Sequence, residues 1–269
     1  MKKELLPLCK YLDKKKEVAE YLIISNGTLL PPKTLLEFAK LKKLFEVKVS
    51  LEGGSAEVND AIRGSGSYKK AVFGIEKIIA FGFDATIMFT AMKSNYTELD
   101  KLVALCRKLK ADGVIIERFI PMGNGLKVKN EALNETEWGL LVANVLKLST
   151  DKLRLKKDEI YDWRAFWIQV SSKGRMKLYG AECNVSKRNF AIMPNGDVYP
   201  CRRFALKIGN ILEEPLLKIM ESPVLKDIMN GVKKGRCKTC EIIDCRGCPA
   251  FAYHTTEDYL AEDSQCYKA

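Results

Sequence analysis

Cysteines crowded into the last third of the chain are the feature that most constrains this sequence. Seven of its nine cysteines fall between residues 183 and 266. Thiols at this density are explained by disulfides, by zinc or by iron–sulfur clusters, and each explanation makes a different demand on their spacing. The seven residues are Cys183, Cys201, Cys237, Cys240, Cys245, Cys248 and Cys266.

Disulfides fit the chain worst. The total of nine cysteines is odd, and 269 residues are enough to bury a hydrophobic core without covalent cross-links. We therefore expect a cytoplasmic protein whose thiols are reduced. Cys9 and Cys106 lie within helical apolar patterns, and we expect both to be small core residues.

Zinc is the main alternative to an iron–sulfur site. The later cysteines include two Cys-x2-Cys pairs, which are typical of tetrahedral thiolate sites. Only four residues separate Cys240 from Cys245, whereas a zinc ribbon usually has a loop of about 15–20 residues there. A cubane cluster is wider than a single ion and takes thiolates from distant parts of a chain. Iron–sulfur clusters are therefore favoured, because one zinc site would leave three cysteines without a role: Cys183, Cys201 and Cys266.

The order of these cysteines resembles the SPASM domain at the C-terminus of many radical S-adenosylmethionine (SAM) maturases. The resemblance includes Cys183, the Gly196-x4-Cys201 motif, the four cysteines of residues 237–248, and Cys266. The middle and final gaps within 237–248, x4 and x2, are slightly shorter than is usual in the family. Connecting segments agree as well: residues 192–201, 208–211, 248–253 and 261–263.

This resemblance implies two auxiliary [4Fe-4S] clusters that would accept or relay an electron once a substrate radical has formed. It also implies a peptide or protein substrate, and an electron donor or acceptor such as ferredoxin or flavodoxin. The ligands it assigns are Cys183, Cys201 and Cys248 for the first cluster, and Cys237, Cys240, Cys245 and Cys266 for the second.

Strand and helix signals alternate from residue 21 to residue 148, which is typical of parallel βα units. Tyr21–Ser25 is a continuous apolar run and is expected to be buried on both faces. Asn95 and Asn134 are each followed by a glutamate three residues later, so both predict capping boxes. The predicted strands are 21–25, 47–51, 85–90 and 114–119, and the predicted helices are 3–17, 32–44, 68–80, 95–110 and 134–148.

Three parts of this region resemble parts of the radical-SAM barrel, namely residues 25–30, residues 49–53 followed by 61–64, and residues 119–123. By this resemblance, Ser50 and Arg63 would approach SAM. The sequence has no Cys-x3-Cys-x2-Cys motif. We therefore expect that the N-terminal SAM-cluster segment is missing from this chain, and that SAM is a cofactor only where that segment is present.

The predicted fold is α/β, an incomplete parallel (βα) radical-SAM-type barrel with a small cysteine-rich Fe–S domain. The barrel is assigned to residues 1–150, a bridging segment to 151–180, and the SPASM-like domain to 181–269. No apolar run reaches the ~18–20 residues that cross a bilayer, so no membrane partner is expected. The formal net charge is +11. The basic residues occur in short groups at helix-surface spacing, which favours solvent-exposed helix faces over nucleic-acid binding.

The predicted function is that of the C-terminal part of a radical SAM/SPASM maturase, an enzyme of the oxidoreductase type. No catalytic residue is assigned. Two alternatives stay open: a non-catalytic iron–sulfur electron-transfer or scaffold protein, and a zinc-binding module.

Overall fold

The computed structural model describes residues 3–150, 159–171, 173–185, 187, 189–242 and 245–268. No helix among these residues is long and apolar enough to cross a membrane. The chain divides into two compact units. The first comprises Met1–Glu117, Leu141–Leu153 and Phe166–Tyr179, and the second comprises Arg118–Leu140, Arg154–Ala165 and Gly180–Ala269.

A six-stranded sheet carries all four strands that the sequence predicts. The strands lie side by side in chain order. The first pairs in parallel with the second, and the second with the third, as βα units require. The strands are β1 Tyr21–Ser25, β2 Leu44–Ser50, β3 Asp84–Ala91, β4 Gly113–Arg118, β5 Ala165–Val170 and β6 Met176–Ala181.

Helices fill the connections between these strands. The helix predicted over 32–44 is shorter than expected, because it ends at Phe38 and Leu44 already begins β2. The helix at Ala56–Arg63 was not predicted, and Ser55 caps its N-terminus by accepting a hydrogen bond from the Val58 N–H. The helices are α1 Leu5–Lys14, α2 Pro32–Phe38, α3 Ala56–Arg63, α4 Ser67–Ala80, α5 Leu99–Leu109 and α6 Glu135–Leu148.

The burial predicted for β1 is wrong. Ile23 is buried, but the next side chain, Ile24, is 48% exposed. The physical reason is position: β1 lies at the edge of the sheet and pairs only with β2 among the described strands. A continuous apolar run therefore did not indicate cover on both faces.

Of the two predicted capping boxes, one is confirmed and one is wrong. The Asn134 side chain accepts from the Glu137 N–H at 2.9 Å, and the Glu137 carboxylate accepts from the Asn134 N–H at 2.8 Å. The Asn95 side chain is instead fully buried and bonds to backbone groups outside its helix. Its amide donates to the Glu52 and Thr90 carbonyls at 3.1 and 3.0 Å. Asn134 lies at an exposed helix start and makes the reciprocal pair with Glu137 instead.

The segment 151–180, for which no elements were predicted, contains part of the sheet. Residues 151–158 lie outside the described residues. A short helix, α7 Glu159–Asp162, precedes β5, and β5 and β6 extend the sheet beyond β4. The domain boundaries at residues 150 and 180 stay a prediction.

After residue 180, the described part of the second unit contains a small antiparallel sheet and three short α-helices. Residues 194–197 form a hairpin between the first two strands of this sheet. Gly196 makes its turn with φ +86°, and an added Cβ there would lie 2.6 Å from the Asn210 side chain. Two short helices follow the sheet. The elements are β7 Ala191–Ile192, β8 Asp197–Tyr199, β9 Gly209–Asn210, α8 Leu216–Ile219, α9 Pro223–Asn230 and α10 Pro249–Thr256.

Candidate metal centre and cofactor cavity

Three of the seven cysteines border one cavity in the second unit. Its volume is about 350 Å³, which is roughly ten times the share of one water molecule in the liquid. Cys237 reaches it from a short 3₁₀ helix, Gly235–Lys238. The backbone N–H of Asp263 also bonds to the Cys237 sulfur. The cavity is lined by Arg236, Cys237, Thr239, Cys240, Glu241, Asp263, Cys266 and Lys268.

Cys245, the fourth residue assigned to this group, does not line the cavity. Its sulfur is instead 2.9 Å from the Arg164 guanidinium, and it also interacts with the Gly247 N–H. Burial raises the pKa of the Cys245 thiol to about 11, and the charge of Arg164 opposes that shift. Since a metal takes the thiolate, the guanidinium favours the form that a metal site requires.

The other three cysteines lie in or against the hydrophobic core of the second unit. Cys248 belongs to this core, and Cys183 and Cys201 pack against it. Burial and the neighbouring Cys248 sulfur raise the pKa of Cys183 to about 11. The Cys201 sulfur accepts a hydrogen bond from the Arg203 N–H at 3.3 Å, which favours its thiolate. The structure therefore brings together the three residues assigned to the first cluster.

The cysteines of this unit are available as thiol donors for a metal group. Three of them border one cavity, and N–H groups are directed at several of the cysteine sulfurs. Thiol donors with N–H groups directed at the sulfurs fit iron–sulfur chemistry. All seven cysteines are free thiols, as are Cys9 and Cys106, which are buried as predicted.

The first unit contains a second cavity, and both residues predicted to approach SAM line it. Ser50 is the last residue of β2 and Arg63 the last residue of α3. The cavity has a volume of about 310 Å³ and lies at the carboxyl ends of two strands, β1 and β2, as cofactor sites do in parallel sheets. Its lining is Asn26, Thr28, Ser50, Arg63, Gly64, Ser65, Ser67, Lys70 and Ala71.

Glu52 holds Arg63 in this position, although no role was predicted for Glu52. One carboxylate oxygen accepts from Arg63 at 2.6 Å, and the other accepts from the Thr90 N–H at 2.7 Å. Burial raises the pKa of Glu52, and the Arg63 charge opposes the shift. A glutamate two residues after the end of a buried strand is the sequence signal that could have identified Glu52.

The second unit also contains a buried ionic network that sequence reasoning missed. Arg118 donates to the Asp263 carboxylate at 2.6 Å, and the side chains of both are 1% exposed. Arg164 lies 3.7 Å from the same carboxylate oxygen. Burial alone would raise the pKa of Asp263, but the two guanidinium groups hold it below its ordinary value. The partners are 145 residues apart, so no local pattern indicates the pair.

Comparison with known families agrees with both halves of the chain. Residues 1–106 match the Radical SAM superfamily, and residues 183–249 match SPASM, described as an iron–sulfur cluster-binding domain. The match begins at residue 1, so the expected absence of an N-terminal segment stays a prediction.

Among curated proteins, two similar relatives have different activities. The AdoMet-dependent heme synthase of Methanosarcina barkeri is 28% identical over 258 residues, covering 91% of this chain and 73% of the relative. The mycofactocin maturase MftC of Mycolicibacterium smegmatis is 30% identical over 252 residues, covering 90% of this chain and 62% of the relative. The chain thus spans about two thirds of the length of these proteins.

The fold prediction is confirmed by solved structures. SuiB of Streptococcus suis, in its complex with S-adenosylmethionine, superposes with a TM-score of 0.66 at 18% identity. The superposition covers 98% of this chain and 62% of SuiB. The structure is therefore a radical-SAM-type α/β fold with a cysteine-rich SPASM region.

Proposed function

We propose that this chain, in which radical SAM and SPASM domains are both detected, takes part in radical modification of a peptide or protein. The observation that carries the proposal is the set of seven thiols in the second unit, of which three border one cavity and three others belong to the hydrophobic core or pack against it. Support for the substrate class comes from the mycofactocin maturase, and from SuiB, whose structure has also been solved with its precursor peptide SuiA.

In this proposal the two groups of cysteines hold two auxiliary [4Fe-4S] clusters. When bound, the clusters supply one-electron transfer to or from a substrate. The chain's own residues pack apolar side chains around Cys183, Cys201 and Cys248, and direct backbone N–H groups at Cys201 and Cys237. Basic side chains near the cysteines would offset the negative charge of four-thiolate clusters. The ligands are Cys183, Cys201 and Cys248 for one cluster, and Cys237, Cys240, Cys245 and Cys266 for the other.

SAM would occupy the cavity of the first unit. The Ser50 hydroxyl can donate and accept hydrogen bonds there, and Arg63 carries a permanent positive charge. A carboxylate such as that of SAM is the natural partner of a guanidinium held in a fixed plane. Glu52 would keep this plane in place. No residue of this sequence is assigned to the cluster that reductively cleaves SAM, because no Cys-x3-Cys-x2-Cys motif occurs in it.

A tetrapyrrole is the second candidate substrate. The heme synthase relative is matched over a larger share of its length than the maturase, 73% against 62%. The two candidates differ in substrate shape and charge, so binding separates them. A precursor peptide should bind with an affinity that depends on its sequence, whereas a tetrapyrrole should be detected by a change in its absorption spectrum.

Anaerobic reconstitution followed by metal analysis tests the proposal directly. Two cubanes require roughly eight iron and eight sulfide per chain. Isothermal titration with SAM then tests the cavity of the first unit, with Arg63→Gln as the weakened variant. One tightly bound zinc without sulfide would overturn the cluster assignment and leave the zinc-binding alternative. Two clusters without SAM or substrate binding would leave the electron-transfer alternative.

A further inference from the structure

A buried guanidinium contacts one of the cysteines assigned to the second cluster. The side chain of Arg164 is 6% exposed, and its Nη2 lies 2.9 Å from the Cys245 sulfur. A guanidinium has only N–H donors and stays protonated in proteins. The contact is therefore a charge-assisted hydrogen bond from Arg164 to sulfur.

Three further contacts hold the guanidinium plane. Its Nε donates to the Gly247 carbonyl at 2.8 Å, and its Nη1 donates to the Tyr161 carbonyl at 3.0 Å. Asp162 accepts from Nη2 at 3.2 Å. Because these acceptors surround a planar fork, an ammonium group in the same place could keep the charge but not all of the hydrogen bonds.

Asp263 links this guanidinium to a second cysteine of the same group. Its carboxylate lies 3.7 Å from Arg164, and its backbone N–H bonds to the Cys237 sulfur. Asp263, which also contacts a cysteine of this group, thus helps to hold the Arg164 guanidinium in place. The position is buried, so the field of the guanidinium is weakly screened.

A fixed positive charge at a ligand sulfur has a predictable electrochemical effect. Hydrogen bonds to sulfur and the net local charge are among the factors that set the reduction potential of an iron–sulfur cluster. Reduction adds one negative charge, and a nearby cation stabilises that charge. The cationic donor therefore favours the reduced form.

We propose that Arg164 is a positioning residue that raises the reduction potential of the auxiliary cluster bound through Cys245. This inference rests on the proposed function, because it needs a cluster at that cysteine. It assigns to one buried side chain a role that neither domain match gives to any residue.

The test is a redox titration of the reconstituted full chain, with dithionite as electron donor and EPR detection. The Cys201→Ala background removes the first cluster, so that the signal of the second is read alone. In that background, Arg164→Gln should shift the midpoint potential to a more negative value. The midpoint potential of Arg164→Lys should lie between that of Arg164→Gln and that of the chain with Arg164, since lysine keeps the charge but loses hydrogen bonds.

Lys234→Gln is the matched control. Lys234 lies three residues before Cys237 and does not line the cavity; its side chain is 64% exposed and paired with Asp258 at 2.5 Å. Water screens an exposed charge, so its removal should shift the midpoint much less. An equal shift in Lys234→Gln and Arg164→Gln would overturn the proposal, because total charge and not the buried contact would then set the potential.

Failure of this inference differs from failure of the proposed function. Wild-type chain with two clusters and the same midpoint in Arg164→Gln would overturn the role of Arg164 alone. Loss of the second cluster in both Arg164→Gln and Arg164→Lys would also overturn it, since the residue would then be needed only for assembly. Wild-type chain that takes up no iron and sulfide would overturn the proposed function itself.

Discussion

Glu52 is a residue at which burial and function are in direct conflict. Its side chain is 4% exposed, yet it is needed as the partner of Arg63 in the candidate SAM cavity. Burial raises its pKa above the ordinary value of 4.5. Because the folded-state pKa is the higher one, ionising this carboxyl costs folding free energy as pH rises through that pKa. Arg63 offsets the cost, and below pH 4.5 neither the cost nor the offset remains.

Arg63→Ala should therefore destabilise the chain in a pH-dependent way. Removing one partner leaves a buried carboxyl whose ionisation is no longer offset, at a cost of about 2 kcal/mol at neutral pH. The loss should be smaller at pH 4.5, because the folded-state pKa of Glu52 lies above that value and the carboxyl is then mostly protonated. Urea unfolding at both pH values measures the difference. Glu52→Gln in the same chain should recover much of the loss at neutral pH, and equal losses at both pH values would contradict this account.

At the scale of elements, two identical Asn-x-x-Glu motifs give different structures. Asn134 makes the reciprocal pair of hydrogen bonds at the start of α6. Asn95 is 0% exposed, and its side chain accepts from the Met92 N–H at 2.7 Å as well as donating to two carbonyls. The motif predicts a cap where the helix start is exposed. Where the same side chain is buried beside strand ends, unsatisfied backbone groups compete for it.

The two asparagines should consequently differ when each is replaced by alanine. Asn134→Ala removes a helix cap and should cost about 1 kcal/mol. Asn95→Ala leaves buried backbone groups without a partner and should cost about 3 kcal/mol, since each such group costs about 1–3 kcal/mol. The free energy of unfolding in urea measures both, and each variant is the control of the other. Equal losses would mean that the buried position of Asn95 adds nothing.

The same contrast shows which parts of the fold the sequence determines locally. The alternation of β2, β3 and β4 with helices, the hairpin at residues 194–197 and the cysteine groups all follow from spacing within short segments. The exposure of Ile24 does not, because it depends on which strand occupies the edge of the sheet. Nor does the contact of Arg164 with Cys245, which are 81 residues apart. Spacing identified the candidate ligands of the site, whereas the charges around them come from distant residues.

At the scale of the whole molecule, the candidate SAM cavity and the clustered cysteines lie in different compact units. The first unit holds the cavity lined by Ser50 and Arg63. All seven clustered cysteines lie in the second unit, between residues 180 and 269. Cys106 belongs to the core of the first unit, where burial raises its pKa to about 12. Cys9 is the other cysteine of this unit and is also buried in its core, so we expect the candidate ligands to lie in the second unit alone.

Cysteine replacement should show this division in the metal content. Cys237→Ala should remove about half of the iron and sulfide of the reconstituted chain, and Cys201→Ala should remove the other half, because the two residues belong to different groups. Cys106→Ala is the matched control: it removes a thiol of equal size from a fully buried position and should leave the metal content unchanged. Iron and sulfide analysis with EPR measures all three.

If Cys237→Ala and Cys201→Ala each abolished all the iron, the seven thiols would serve a single assembly, and the separation into two groups would be wrong. If Cys106→Ala lowered the iron content while the chain stayed folded, the division between ligand and core cysteines would be wrong as well.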